Sequence, residues 1–209
     1  MTILVLCCTV ILFNSELKLA AKMNPTRFPR ILGIDPGSRV IGFAVLEAKK
    51  IVPRSPMDWV VVDVGVVRMS TNLSMLDRIC EIHDTFYDLI HELKPTIVGI
   101  EKAFHGVNSA SALKLSEARG ALISAVGRHK ISITEITPAE VKRIVAGSGA
   151  ASKEQVYQAL QVILGFNKGR LPLDASDALA IAFSIQSQAC LQAATVRAKV
   201  RLPHDPDRC

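Results

Sequence analysis

Apolar residues change their spacing several times along the chain, and each change marks an element. ILGID at residues 31–35 and VIGFAVLE at 40–47 are apolar runs separated by PGSR. Pro36 and Gly37 supply turn chemistry there, so the pattern predicts two strands joined as a hairpin. The β-branched run WVVVDVGVVRM predicts a third strand, Trp59–Arg68, reached through the Pro-containing segment KKIVPRSPMD. Leu76, Ile79, His83, Phe86, Tyr87, Ile90 and Leu93 then recur at threes and fours across residues 74–94. That is the spacing of one helical face, and Pro95 ends it. TIVGIE predicts a short buried strand, SASALKLSEARGALISAVGRH a long alanine-rich helix, and ISITEI a fifth strand. Thr137 and Pro138 form an N-cap and first-turn proline for AEVKRIVA, and Ser152 opens a further helix to about Leu164. GSGAAS between them reads as a flexible loop. A last helix is expected over residues 174–192, with ALAIAFSI as its buried portion, while VRAKVRLPHDPDR has no clear apolar face.

A three-stranded meander followed by two helix–strand units and terminal helices describes an α/β fold, a mixed five-stranded sheet flanked by helices on both faces. Parallel strands joined by helices present functional residues at their carboxyl ends. Asp35 and Glu101 each stand at the end of a strand, so their carboxylates meet at one edge if those strands are parallel neighbours.

The 209 residues, 49% hydrophobic and 21% charged, suit one globular domain with a sizeable core. Its expected limits are residues 30–190, followed by a basic tail over 191–209. The net charge of +6 favours polyanionic partners, of which nucleic acid is the commonest. Cys7, Cys8, Cys80, Cys190 and Cys209 are odd in number, with no CxxC pair and no histidine at zinc-ligand spacing. Neither a disulfide framework nor a zinc site is implied, and a reducing, cytoplasmic setting is expected. TILVLCCTVILF is too short to cross a bilayer and lacks the preceding positive flank of an export signal. Met23 opens the polar segment before the first strand, so translation is expected to start there, with residues 1–22 an upstream extension.

Four acids end or open apolar runs: Asp35, Glu101, Asp174 and Asp177. Charge beside a hydrophobic core is costly unless something neutralises it, so this placement points to a shared cation. Asp174 and Asp177, three apart on a helix, share a face and repel unless a cation bridges them. Magnesium prefers carboxylate and water oxygens, and two such ions about 4 Å apart can hold the attacking and leaving oxygens of a phosphodiester in line. Each acid also has a plainer reading: Asp35 as a turn residue, Glu101 as a surface acid, Asp174 as a helix N-cap with Asp177 complementing the helix dipole. GIDPGS would also suit the phosphate-contacting hairpin of an actin-like ATPase, but no GxxxxGK[ST] or GxGxxG accompanies it and the chain is too short for the second domain.

ILGIDPGSRVIGFAV, VGIEKAF, SALKLSEARGA, ITPAEVKRIVAGSGAASKEQV and LDASDALAIA, in this order over residues 31–188, resemble the RuvC family of Holliday-junction resolvases in the ribonuclease H-like superfamily. The resemblance implies a ribonuclease H-like fold and a magnesium-dependent endonuclease with two ions per subunit, manganese being able to substitute. Asp35, Glu101, Asp174 and Asp177 then occupy metal-ligand positions, although some relatives carry histidine where Asp174 stands. Water would be the nucleophile, leaving a 5′-phosphate and a 3′-hydroxyl. Phe104 matches an aromatic that stacks on bases near the branch point, and Lys142 and Lys153 match basic residues used near the cleaved strand. Arg143 beside them is a plausible phosphate contact without family support. Four-way junction DNA, a second copy of the chain and the RuvA–RuvB branch-migration complex are the implied partners. The segment before Met23 has no family counterpart. Two competing functions are a junction-binding protein without turnover and a nuclease for RNA–DNA hybrids; no residue is assignable to reading a 2′-hydroxyl.

Overall fold

β1 (Arg30–Asp35) and β2 (Val40–Ala48) pair antiparallel around the Pro36–Gly37 turn, and β3 (Trp59–Arg68) adds antiparallel to β2. β4 (Ile97–Glu101) then pairs parallel to β1, and β5 (Ser132–Ile136) parallel to β4. The strand order is therefore β3-β2-β1-β4-β5 in one mixed sheet. This computed structural model describes residues 28–51, 53, 55–102, 109–165, 169 and 171–201, with the backbone alone at residue 109 and over 192–201. Residues 1–22, Met23, Phe104 and the tail beyond 201 lie outside the described residues.

The two-residue period of β1 divides two cores. Ile31 packs with α3 (Pro138–Ala146), α4 (Lys153–Leu164) and α5 (Leu173–Arg201) on one face. Leu32 and Ile34 pack with α1 (Met75–Leu93) and α2 (Ser109–Arg128) on the other. Helices thus cover both faces, as the sequence pattern leads one to expect.

Local chemistry sets the helix ends. Ser74 caps α1 by accepting from the Asp77 amide, and Lys94 closes it in a left-handed conformation. Thr137 with Glu140, and Ser152 with Gln155, form capping boxes at the starts of α3 and α4. Two expectations are corrected. The buried stripe of α1 runs through Arg78, Ile82, Phe86 and Ile90, whereas Leu76 is 71% exposed. Phe86 and Ile90 belong to the face read from the sequence, and Ile79, Tyr87 and Leu93 pack at its edge; the stripe also admits Arg78, whose guanidinium donates to the Leu73 carbonyl at 3.1 Å. The last helix also continues to Arg201 rather than ending near Gln192. Alanine, glutamine, lysine and arginine sustain it by helix propensity without an apolar face, and the first proline after it is Pro203. Among the described residues, no helix is long and apolar enough to cross a membrane.

Candidate active site

The β1–β4 register pairs Ile34 with Ile100, so Asp35 and Glu101 follow side by side at the carboxyl ends of two parallel strands. Side chains alternate along a strand. Gly33 and Gly99, two residues earlier, lie beneath α5, so both acids point to the α5 face. Gly33 and Gly42 let that helix settle onto bare backbone. A methyl group built at Gly42 would stand 1.9 Å from the Asp174 carbonyl oxygen, and one at Gly33 2.2 Å from that of Ala178. Gly42 is itself the ladder partner of Asp35. The first turns of α5 therefore rest directly over the end of β1, and Asp174 and Asp177 arrive beside Asp35 and Glu101. All four acids are half-buried.

Electrostatics register this crowding. Burial, followed by the charges of Asp177, Glu101 and Asp174, pushes the Asp35 carboxyl from its ordinary 3.8 up to about 7, against an opposing pull from Lys153. Burial and then Asp177 push Glu101 upward as well, again opposed by Lys153. Lys153, at the first position of α4, donates to the Asp177 carboxylate and forms an ion pair with it. That hydrogen bond, outweighing desolvation, holds the ammonium above its ordinary range, helped by the charges of Asp177, Asp35 and Asp174. Among the described residues, one cation thus faces four acids.

The structure brings together Asp35, Glu101, Asp174, Asp177 and Lys153. Lys142, half-buried, and Arg143, exposed, sit on α3, and neither is among the charges acting on Asp35 or Glu101. Among the described residues, no three His, Cys, Asp or Glu side chains are arranged to hold a metal ion as they stand. Sequence reading missed two neighbours of the site. Arg119 on α2 donates through Nε to the Glu101 carbonyl at 3.1 Å and forms an ion pair with Glu135 on β5. The only signal was an arginine inside an otherwise small-residue helix, SEARGALISA.

The family model described as "Crossover junction endodeoxyribonuclease RuvC" matches residues 31–185. The RuvC crossover junction endodeoxyribonuclease of Chloroherpeton thalassium is 40% identical over 151 residues, covering 72% of this chain and 78% of that one. Its counterpart in Neisseria meningitidis serogroup A is 38% identical over 155 residues, covering 74% and 83%. Among solved structures, T. thermophilus RuvC in complex with Holliday junction substrate superposes with a TM-score of 0.71 at 27% identity, covering 78% of this chain and 96% of that one. The yeast mitochondrial Holliday junction resolvase Ydc2, at 13% identity and TM-score 0.59 over 90% of this chain and 91% of that one, shares the fold. Sequence match, strand order and the sheet-end position of the acids agree, and this chain belongs to the RuvC family of crossover junction endodeoxyribonucleases.

Proposed function

We propose that this chain binds four-way DNA junctions and resolves them by paired, symmetric nicks in a cation-dependent hydrolysis, serving DNA recombination and repair in the cytoplasm. The observation that carries this reading is the convergence of four half-buried carboxylates from β1, β4 and α5, with Asp35 raised to about 7 by burial and by the other three. The solved structure of a relative with a Holliday junction supports the choice of substrate.

The donor set fits a hard divalent cation, being carboxylate oxygens that are partly desolvated and repel one another. Asp35, Glu101, Asp174 and Asp177 are the residues that would hold Mg2+, two ions per subunit, with Mn2+ as a substitute. Magnesium commonly keeps several waters and takes one or two protein carboxylates plus substrate phosphate, so a closed protein cage is not required. A cation bound there supplies Lewis acidity to the phosphodiester and neutralises charge that develops on it.

The chain's own groups prepare that site. Asp35 gives up its proton on becoming a ligand, and Lys153, 61% exposed, balances the acids until then and can lean from Asp177 toward a phosphate. Lys142 and Arg143 on α3 would contact backbone phosphates without reading sequence, and Phe104 would stack on a base at the branch point. Water is the nucleophile, giving 5′-phosphate and 3′-hydroxyl ends. A two-fold dimer presents one site to each of two equivalent strands. The RuvA–RuvB motor is the partner that would deliver the junction.

The test compares cleavage by the purified chain, with Mg2+, of a four-way junction, a linear duplex and an RNA–DNA hybrid of the same sequence. Preferential cutting of the junction is expected. Tight junction binding without cutting would favour a binding protein, and faster cutting of the hybrid would favour a ribonuclease.

A further inference from the structure

The β4–β5 ladder ends where Glu101 pairs with Ile136, and one residue further the Lys102 amide donates to the Ile136 carbonyl at 2.8 Å. At this end of β4 the Glu101 carbonyl accepts from Arg119 Nε at 3.1 Å. The Arg119 guanidinium reaches in from α2, on the face opposite to α5, and its Nη2 is held by Glu135, the β5 partner of Ile100. Its fork therefore bridges the ends of two parallel strands, one of which ends in the acid that the nuclease reading makes a metal ligand. Arg119 is only 15% exposed, whereas Glu135 is 44% exposed. A planar guanidinium can serve a carbonyl through Nε and a carboxylate through Nη2 at once; an ammonium on a flexible stem cannot hold that geometry. Arg119 is not among the charges acting on Glu101, so its influence runs through backbone position.

Resting on the reading of Glu101 as a ligand, we propose that Arg119, tethered by Glu135, is a positioning residue that fixes the backbone of Glu101 and thereby where its carboxylate stands over the sheet edge. Ligands are held by partners behind them, and loss of such a partner commonly costs about 10- to 100-fold in metal affinity or activity.

The experiment uses the full chain as wild type, Arg119→Gln, Arg119→Lys and Glu135→Gln. Mn2+ alone is titrated calorimetrically without DNA, and junction affinity in Ca2+, melting temperature and single-turnover cleavage are measured beside it. Arg119→Gln is expected to weaken Mn2+ binding and slow cleavage by about 10- to 100-fold with junction affinity within about twofold of wild type. Arg119→Lys recovers the melting temperature but not the Mn2+ affinity. Glu135→Gln, altering a largely exposed carboxylate, shifts Mn2+ affinity a few-fold in the same direction without lowering the melting temperature. It therefore carries the test if Arg119→Gln does not fold.

Unchanged Mn2+ affinity in Arg119→Gln or Glu135→Gln would overturn the proposal. So would full restoration by Arg119→Lys, or losses of metal and junction affinity that merely track melting temperature. Absence of Mn2+ binding by the wild type is a different outcome, which would bring down the nuclease reading and this inference together.

Discussion

Asp35 is the acid under most pressure, with burial and three neighbouring carboxylates raising it to about 7. Because this lies above its ordinary 3.8, the folded chain keeps a proton between about pH 4 and 7 that the unfolded chain has released. This group's contribution to metal-free stability therefore falls as pH rises through that window, and the full penalty stands above it. Asp35→Asn removes the penalty, so the metal-free melting temperature of the variant should exceed that of wild type at pH 8 and the gap should close at pH 4. A gap independent of pH would contradict the assignment. The same variant should bind junctions normally yet cut them roughly 10³-fold more slowly, since loss of a ligand removes several kcal/mol of charge stabilisation; gel-shift and single-turnover assays check both halves. Lys153→Met leaves Asp177 without its cation. Lys153 itself is largely exposed, so the expected fall in metal-free melting temperature is no more than about 4 °C, and Mg2+ should shrink it. All four acids were legible because each closes or opens an apolar run. The pairing of Lys153 with Asp177 was not, since the partners lie on different helices 24 positions apart.

The element that assembles the site is α5, seated on the bare backbone of β1 and β2 at Gly33 and Gly42. A methyl group at Gly42 cannot share space with the Asp174 carbonyl, so Gly42→Ala lifts the helix turn that carries Asp174 and Asp177. Overpacking of this kind costs about 1–3 kcal/mol. Misplacing reacting groups by about 1 Å can cost 100-fold in rate. Gly42→Ala should therefore lose cleavage well beyond what its modest fall in melting temperature explains, as a thermal melt and a single-turnover time course on one preparation would reveal. Helix starts at Thr137 and Ser152 were readable because a capping box is local chemistry. Phe86 and Ile90 of α1 were readable too, whereas its first turn was not, since an apolar pattern selects Leu76, which is exposed, over Arg78, which is buried. Helix continuation to Arg201 escaped for a related reason, as an apolar face was sought where propensity alone sustains the helix.

At the scale of the molecule, the decisive fact is that β4 crosses over to lie parallel beside β1, which is what makes neighbours of Asp35 and Glu101. Element types were readable from spacing, but that adjacency joins residues 66 positions apart and was conditional until the strand order was known. The same topology turns the ends of β1 and β4 and the start of α5 toward one edge, leaving a compact acidic site on a chain of net charge +6. Local acidity for cations within a basic whole suits a polyanionic substrate that must reach metal ligands without being repelled. The most direct test is denaturing-gel mapping of nicks on a fixed four-way junction, each arm labelled in turn, with Mg2+ and equal amounts of wild type and Asp35→Asn. Wild type should leave two nicks placed symmetrically across the branch point, with 5′-phosphate ends, and Asp35→Asn should leave the junction intact while still bound. Scattered or single-arm nicks, or undiminished cutting by Asp35→Asn, would contradict the account.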